Sequence, residues 1–497
     1  MRRLLLRSFV LAFVAFALLF GIELAIEWYR AGFVPWGAST WKDANNAKLV
    51  DLLSPMARAA NNILAMLLAT IGLAIPLTAN MHTPKLIEMF LRDRVNRWVL
   101  SFMVFSAAHT LWVDYMIGPK FAPTWAVTAA VVLALVGWAI LIPYFFYVVR
   151  FVDPSRLVQR LRDDAMDILK DVAARKTDAL DAQTVISTRI SQLGTIMIKS
   201  LDRDDRDVAA EAVWAIKVLL DNYGAVKVRM PREWYVVDRA DFVGLSDEAL
   251  EMLNENKTWF EMKCLLQVEH GFLRSCRAST DSVSTFSDAL RVIATRFEAQ
   301  KDTEALRLAI RFFNNYLREA IKAKNIRAVY DTFHQYRRLA RDLLGQPTLL
   351  REIGEHFCYY AGMARTYGMV FAPQLAIFDL GYITRRAFEK DCSVARALLG
   401  DVLSLPHRTD DDFHTYAVKA KLILGGFFIQ MKHEAEAGLV RENLHDVSKQ
   451  EIESCEAALL DADPSFWEVT DRQLNVEYVP PERREPLKAF CASLLAR

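Results

Sequence analysis

A chain of 497 residues is too long for a single compact core, and its 53% apolar side chains exceed the usual share, with the excess concentrated at the N-terminus. Residues 1–152 carry 13 Lys and Arg against 7 Asp and Glu, while the other 345 carry 48 against 53, so a total of +1 conceals a basic front and a mildly acidic body. Such a body excludes a general nucleic-acid surface, which needs clustered cations, and six cysteines without a C-x-x-C pair read as ordinary buried thiols of a reducing compartment.

A membrane-spanning helix needs about 20 mainly apolar residues, because roughly 30 Å of hydrocarbon is crossed at about 1.5 Å per residue. Four stretches meet this, at 8–29, 61–80, 98–117 and 121–149. The first is uncharged from Ser8 to Ile22 and passes through Glu23 and Glu27 to Trp28 and Tyr29, an aromatic pair suited to the interface. Its basic start and short apolar run also suit a signal peptide, but no small-x-small cleavage site follows Ile22. Basic residues group before span one (Arg2, Arg3, Arg7), between spans two and three (Lys85, Arg92, Arg94, Arg97) and after span four (Arg150, Arg156, Arg160, Arg162). Four spans with both termini cytoplasmic satisfy all three groups. Cleaving the first span would break the alternation.

Between spans two and three, Leu86, Ile87, Phe90, Leu91, Val95 and Trp98 recur at helical spacing beside the cations, with Thr83 as cap and Pro84 at the first helical position. Two readings stand for residues 83–97: an amphipathic elbow at the cytoplasmic lipid surface, or a continuation of span three below the membrane.

The run from Asn61-Asn62-Ile63-Leu64 through TPKLIEMFLRDRVNRWVL to FVDPSRLVQRL resembles a bacterial family of predicted membrane proteins known as a domain of unknown function (DUF2254). The elbow motif Leu91 to Arg94 is its most recognisable part, and the segment ISTRISQLGTIMIKSLDRDDRDVAAEAVWAIKVLL looks like the family's next helical stretch. The chain then departs from the pattern. A turn rich in Ser, Pro, Gly and Asn-Asp is here Leu201-Asp202-Arg203-Asp204-Asp205, and a β-rich insertion after span four is not evident. The resemblance implies topology and no activity.

Past Arg150 the periodicity is helical almost throughout. Asp153-Pro154 opens a helix with Leu157, Leu161, Ala165, Ile168 and Val172 on one stripe, read as continuing span four into the cytoplasm. Two more helices are expected at about 182–200 and 205–223, the second ending at Gly224 as a C-terminal cap. The helical period fails over 226–245, which is expected to be a loop or short strand linking a membrane-proximal region, 153–225, to an α-helical domain, 246–497. In that domain Leu306, Ile310, Phe313, Leu317 and Ile321 and then Ile326, Val329, Tyr330, Phe333, Leu339 and Leu343 make a helical hairpin about Asn325, with similar pairs at 348–390, 392–435 and 436–461. The expected fold is all-α: a four-helix transmembrane bundle and a large helical cytoplasmic region, either plain or repeat-like.

No P-loop, dinucleotide fingerprint, zincin, nucleophile-elbow or EF-hand pattern occurs, and no enzyme activity or cofactor is expected. His407, Asp411 and His414 have the atoms for a divalent cation, but Asp410, Asp411 and Asp412 point about 100° apart on a helix, and a cap at Thr409 with an acidic first turn explains them better. The Arg/Asp alternation over Asp202 to Asp207 reads as a solvated helix start, and Gly425-Gly426 as close packing or a kink. Polar residues inside spans carry more weight, because a charge there is costly. Glu23 and Glu27 are one turn apart on span one, and His109 and Asp114 lie in span three, all in the outer half of the membrane or at its edge. They suit a cation or proton path, or else interfacial carboxylates beside Trp112 and Tyr115 with His109 bonded to a neighbouring helix. Two functions follow as expectations: a non-enzymatic bacterial inner-membrane protein whose cytoplasmic helices bind a protein partner or build a homo-oligomer, and an oligomeric channel or transporter using spans one and three.

Overall fold

A computed structural model describes residues 14, 17–23, 25–26, 29, 46–81, 86–117, 123–237, 242, 244–278, 280–405, 413–466 and 470–496. The chain forms two compact units, Met1–Leu157 and Val158–Arg497. The fold is all-α; among the described residues the only β pairing is one isolated bridge between Ser465 and Leu474.

The first unit contains α1 (Asn46–Met81), α2 (Leu86–Arg92), α3 (Arg94–Met116) and α4 (Thr124–Val152). Three helical stretches among the described residues are long and apolar enough to cross a bilayer: Asp51–Asn80, Arg94–Met116 and Trp125–Val152. The expected first span lies partly outside the described residues, and its residues 17–23 are helical. The second expected span begins earlier than its apolar run, because α1 carries helix through Pro55 and the polar turn before Asn61. Leu53 of α1, Val113 of α3 and Ala126, Val127 and Ala130 of α4 are buried together. The small residues let the helices approach closely, as packing in lipid favours. On the outside, Met66, Leu73, Leu77, Ile142, Phe145 and Phe146 are each more than half exposed. So much bare apolar surface suits helices solvated by hydrocarbon.

The elbow region resolves into two elements. Asp93 has extended backbone and its carboxylate accepts from Asn96 N at 3.0 Å, capping α3, while Asn96 Nδ2 donates to Phe90 O at 3.1 Å and closes α2. Arg94 and Arg97 therefore belong to the spanning helix and Arg92 to the short one. Leu86 and Phe90 are buried, Phe90 edge-on to Phe151 at 5.4 Å, whereas Ile87, Val95 and Trp98 face outward.

Helix α4 stops at Val152 because Asp153 is extended, with Oδ1 accepting from Ser155 N at 3.0 Å, so α5 (Pro154–Ala173) is a separate helix and not the expected continuation. Next come α6 (Ala179–Leu201), α7 (Arg206–Val226), α8 (Asp247–Asn256), α9 (Trp259–Ala278), α10 (Val283–Ala299), α11 (Thr303–Lys322) and α12 (Ile326–Asp342). The remainder is α13 (Pro347–Thr366), α14 (Phe371–Glu389), α15 (Ala395–Ser404), α16 (Phe413–Met431), α17 (Glu434–Asn443), α18 (Lys449–Asp461) and α19 (Pro481–Leu495). The hairpin of α11 and α12 turns at Asn325, whose Oδ1 accepts from Ala328 N at 2.9 Å while its Nδ2 ties to Cys276 O at 2.9 Å.

Residues 226–245 form no strand where described. They make two 3-10 turns, Lys227–Arg229 and Arg232–Tyr235, and the second buries Trp234 completely. Trp234 stacks obliquely on Trp259 at 4.8 Å, donates to Tyr223 Oη at 3.1 Å, and its carbonyl accepts from Trp259 Nε1 at 2.6 Å. This segment is thus an aromatic plug held by α7 and α9 within the second unit. Helix α7 runs past Gly224 to Val226, and the glycine makes room for the Gln300 side chain instead of capping. Gly426 admits the α19 backbone, since a Cβ there would sit 2.8 Å from Leu487 Cα. Helix ends lean on left-handed lysines: Lys257, Lys301, Lys324 and Lys432 have φ of 52–59° and lie exposed at the turns.

Candidate intramembrane site

Helix α3 carries a polar stripe into its apolar body. Ser106, His109 and Thr110 lie on the buried side of α3, and Thr110 satisfies its hydroxyl internally by donating to Ser106 O at 2.8 Å. His109, wholly buried about two turns before the Met116 end, stacks on Phe105 at 6.3 Å. Its Nε2 meets Glu23 Oε2 at 2.8 Å across 86 residues of sequence. Glu23 is 6% exposed, and its Oε1 is buried without a hydrogen-bond partner among the described residues. Nearby, Phe20 packs edge-on against Trp112 at 5.3 Å, so segment 17–23 and α3 share both a polar and an apolar contact.

A carboxyl and an imidazole, both buried, meet here, and a net charge on either without its counterpart is costly in surroundings of low dielectric.

Asp114, one turn beyond, does not join the pair: its Oδ1 accepts from Ser54 Oγ of α1 at 2.5 Å. It stands beside Trp112 and Tyr115, which are 41% and 82% exposed, as an interfacial carboxylate would. Glu27 and Lys85 lie outside the described residues. Arg92 pairs with Glu88 at 2.7 Å one turn back, Arg94 is exposed at the first turn of α3, and Arg97 is partly covered.

In the second unit His407 and Asp411 lie outside the described residues, and His414 is paired with Glu451 of α18. Two features there escaped sequence reasoning. Lys227 Nζ lies 2.6 Å from both Glu261 Oε1 and Asp302 Oδ2 beneath the aromatic plug. Complete burial pushes the Glu261 carboxyl up to about 7 despite Lys227, with the Asp302 charge adding to the effect. Second, a groove of about 490 Å³ runs between α8, α9 and α11, with Met252, Met262, Leu266 and Phe312 inside and Glu304 and Arg311 among its polar groups. The hint for the first was an acid in the apolar run Trp259-Phe260-Glu261-Met262; the groove had no local hint.

Residues 2–202 match the family model described as a predicted membrane protein (DUF2254). The match covers the apolar segments, α5 and α6, and ends at the turn where the sequence departs from the family's pattern. No curated protein and no solved structure matches the chain. The match and the three spanning-length helices make this a membrane protein in contact with the lipid bilayer.

Proposed function

We propose that this membrane protein, whose first part matches a family without an assigned activity, handles protons at the Glu23–His109 pair. It does so as an oligomer of four-span subunits with both termini in the bacterial cytoplasm. The observation that carries this reading is the pair itself: two titratable groups from distant segments, both buried, meeting at 2.8 Å within apolar helices. Burying both costs several kcal/mol, which an apolar pair of similar size would avoid. Four spans are few for a monomeric conduit, so the oligomer belongs to the reading. The basic residues around the spans support the orientation.

The test is proton flux into liposomes that enclose a pH-sensitive dye, with full-length protein reconstituted and a potassium diffusion potential applied. Flux should fall at least tenfold in Glu23→Gln and in His109→Phe, and stay near wild type in Asp114→Asn. Absence of flux from the wild-type protein between pH 5 and 8 overturns the reading, as does undiminished flux in the double variant.

A second reading has the helical unit as a non-enzymatic module that binds a protein partner, the Glu23–His109 contact serving only to tie two spans together. The groove between α8, α9 and α11 favours it. Its apolar, methionine-lined interior with both signs of charge nearby suits the apolar face of an amphipathic helix. Charge-reversing Arg311→Glu should then abolish partner capture from membranes while leaving proton flux unchanged.

A further inference from the structure

Helix α14 contains Asp379, Tyr382, Arg385 and Arg386 inside the apolar sequence AIFDLGYITRRAF. Around them gather Arg337 and Arg341 from α12, Arg472 from the segment before α19, and Arg483 from α19 itself. Every carboxylate in reach is already engaged. Asp379 takes Arg472 through both oxygens, at 2.9 and 2.6 Å. Glu389 takes Arg386 at 2.7 Å and Arg483 at 3.2 Å, and Asp342 takes Arg341 twice, at 3.1 and 2.8 Å. Six guanidinium groups thus meet three acids. Three of them, Arg337, Arg385 and Arg472, keep a buried Nε–H with no hydrogen-bond acceptor among the described residues, although Arg337 Nε stands 3.5 Å from Asp379 Oδ1.

These groups converge on one ring. The guanidinium carbons of Arg337, Arg386 and Arg385 lie 4.6, 5.4 and 6.0 Å from the centroid of Tyr382, and Arg386 Nε donates to its hydroxyl at 3.4 Å. One side of the cluster is closed and the other open: Arg337 is 21% exposed, while Arg341 and Arg386 are 45% and 44% exposed. Electrostatics agree with a surplus of positive charge. Burial and the neighbouring Arg483 and Arg386 push Arg385 down to about 9, only partly opposed by Glu389. Burial also holds Arg337 below the usual guanidinium value, partly opposed by Asp379, with Arg472 and Arg341 adding to the effect. Burial opposes ionisation of Tyr382, yet the Arg386 hydrogen bond and the charges of Arg386, Arg337 and Arg341 bring it below the ordinary phenol value. His334, beside Arg337 at 3.2 Å, is driven down to about 2 by burial and four arginines and stays neutral.

Like charges do not collect on a half-buried tyrosine without cost; the arrangement is favourable once an anion completes it. We propose that this arginine cluster binds a phosphate-class dianion, with Arg337 and Arg385 donating from the closed side and Arg341 and Arg386 from the open side. Arginine suits this use because its planar fork matches two phosphate oxygens. The same chemistry is offered by a free phosphate or phosphomonoester and by the headgroup of phosphatidic acid.

The experiment uses the full-length protein in neutral detergent and reads the melting of the helical unit. Inorganic phosphate should raise the melting temperature by several degrees over chloride at equal ionic strength. A second arm compares micelles containing phosphatidic acid with micelles containing phosphatidylcholine. A response to phosphate alone assigns a soluble ligand, and a response to phosphatidic acid assigns the headgroup. No response in either arm overturns the proposal. Arg385→Met should be as stable as wild type or more so in chloride, because a buried surplus cation is gone, and should weaken phosphate binding at least tenfold. Arg386→Gln, at an exposed position, should weaken it several-fold and keeps the test valid if Arg385→Met does not fold. Unchanged phosphate affinity in a folded variant of either kind also overturns the site.

Discussion

The two units solve opposite solvent problems with the same helical material. In Met1–Leu157 many large apolar side chains face outward, and small or polar ones such as Ala126, Ala130, Ser106 and His109 share the contacts with a few larger ones such as Leu53 and Phe90. In Val158–Arg497 the large ones face inward, and the biggest buried groups include Trp234, Trp259, Tyr316 and Phe313. Aromatic stacking there is close, with Phe272 on Tyr316 at 3.9 Å and Phe313 on Tyr336 at 4.8 Å. In water, burial of such rings drives folding; in lipid it supplies nothing, and packing and hydrogen bonds must suffice. A polar pair thus carries more structural and chemical weight in the first unit than its size implies.

Truncation gives the largest test of this contrast. Trp234→Ala should destabilise the helical unit by about 3 to 5 kcal/mol, read by tryptophan fluorescence melting of detergent-solubilised protein. Leu73→Ala, 76% exposed on the spanning surface, should leave melting unchanged. Similar losses at both positions would erase the distinction between the units.

A smaller effect concerns pH. The folded-state value of Glu261, raised from 4.5 to about 7, makes its contribution fully present below 4.5 and lost as pH rises through 7. Lys227 is raised above its ordinary value by Glu261 and Asp302 in spite of burial, so its contribution is lost only in alkali, outside that window. The helical unit should lose on the order of 2 kcal/mol between pH 5 and 8, and Glu261→Gln should flatten that slope in urea melts at the two pH values. The smallest effect is at a turn. Lys324→Gly, at φ of 52°, should stabilise the unit by about 0.5 to 1 kcal/mol by relieving left-handed strain.

What was legible in the chain follows the range of the forces involved. Apolar runs and 3.6-residue stripes are local, so three spanning-length helices and the α11–α12 hairpin with Asn325 at its turn can be read directly. The plug at 227–237 cannot, because its partners are remote: Gln183 reaches Trp234 O across 51 residues, and Lys227 reaches Asp302 across 75. Nor do the helix ends announce themselves when lysine occupies the left-handed position that glycine usually marks. For the candidate site, Glu23 and His109 are conspicuous as costly groups in apolar runs, but nothing in their spacing tells which polar residue meets which. Asp114 pairs with Ser54 and not with His109, a choice made by helix packing. The arginine cluster was hidden for the same reason, since Asp379 and Arg472 are 93 residues apart.

The four exposed lysines at left-handed turns also make the second unit divisible. Each sits exposed at the end of a helix with a buried face, and the peptide bond after it is one that trypsin cleaves. A chain nicked after Lys257, Lys301, Lys324 or Lys432 should keep its helices in register, and two fragments produced separately at one of these points should re-form the unit, as read by circular dichroism. The connections are where inserted sequence or a permuted helix order should be tolerated best.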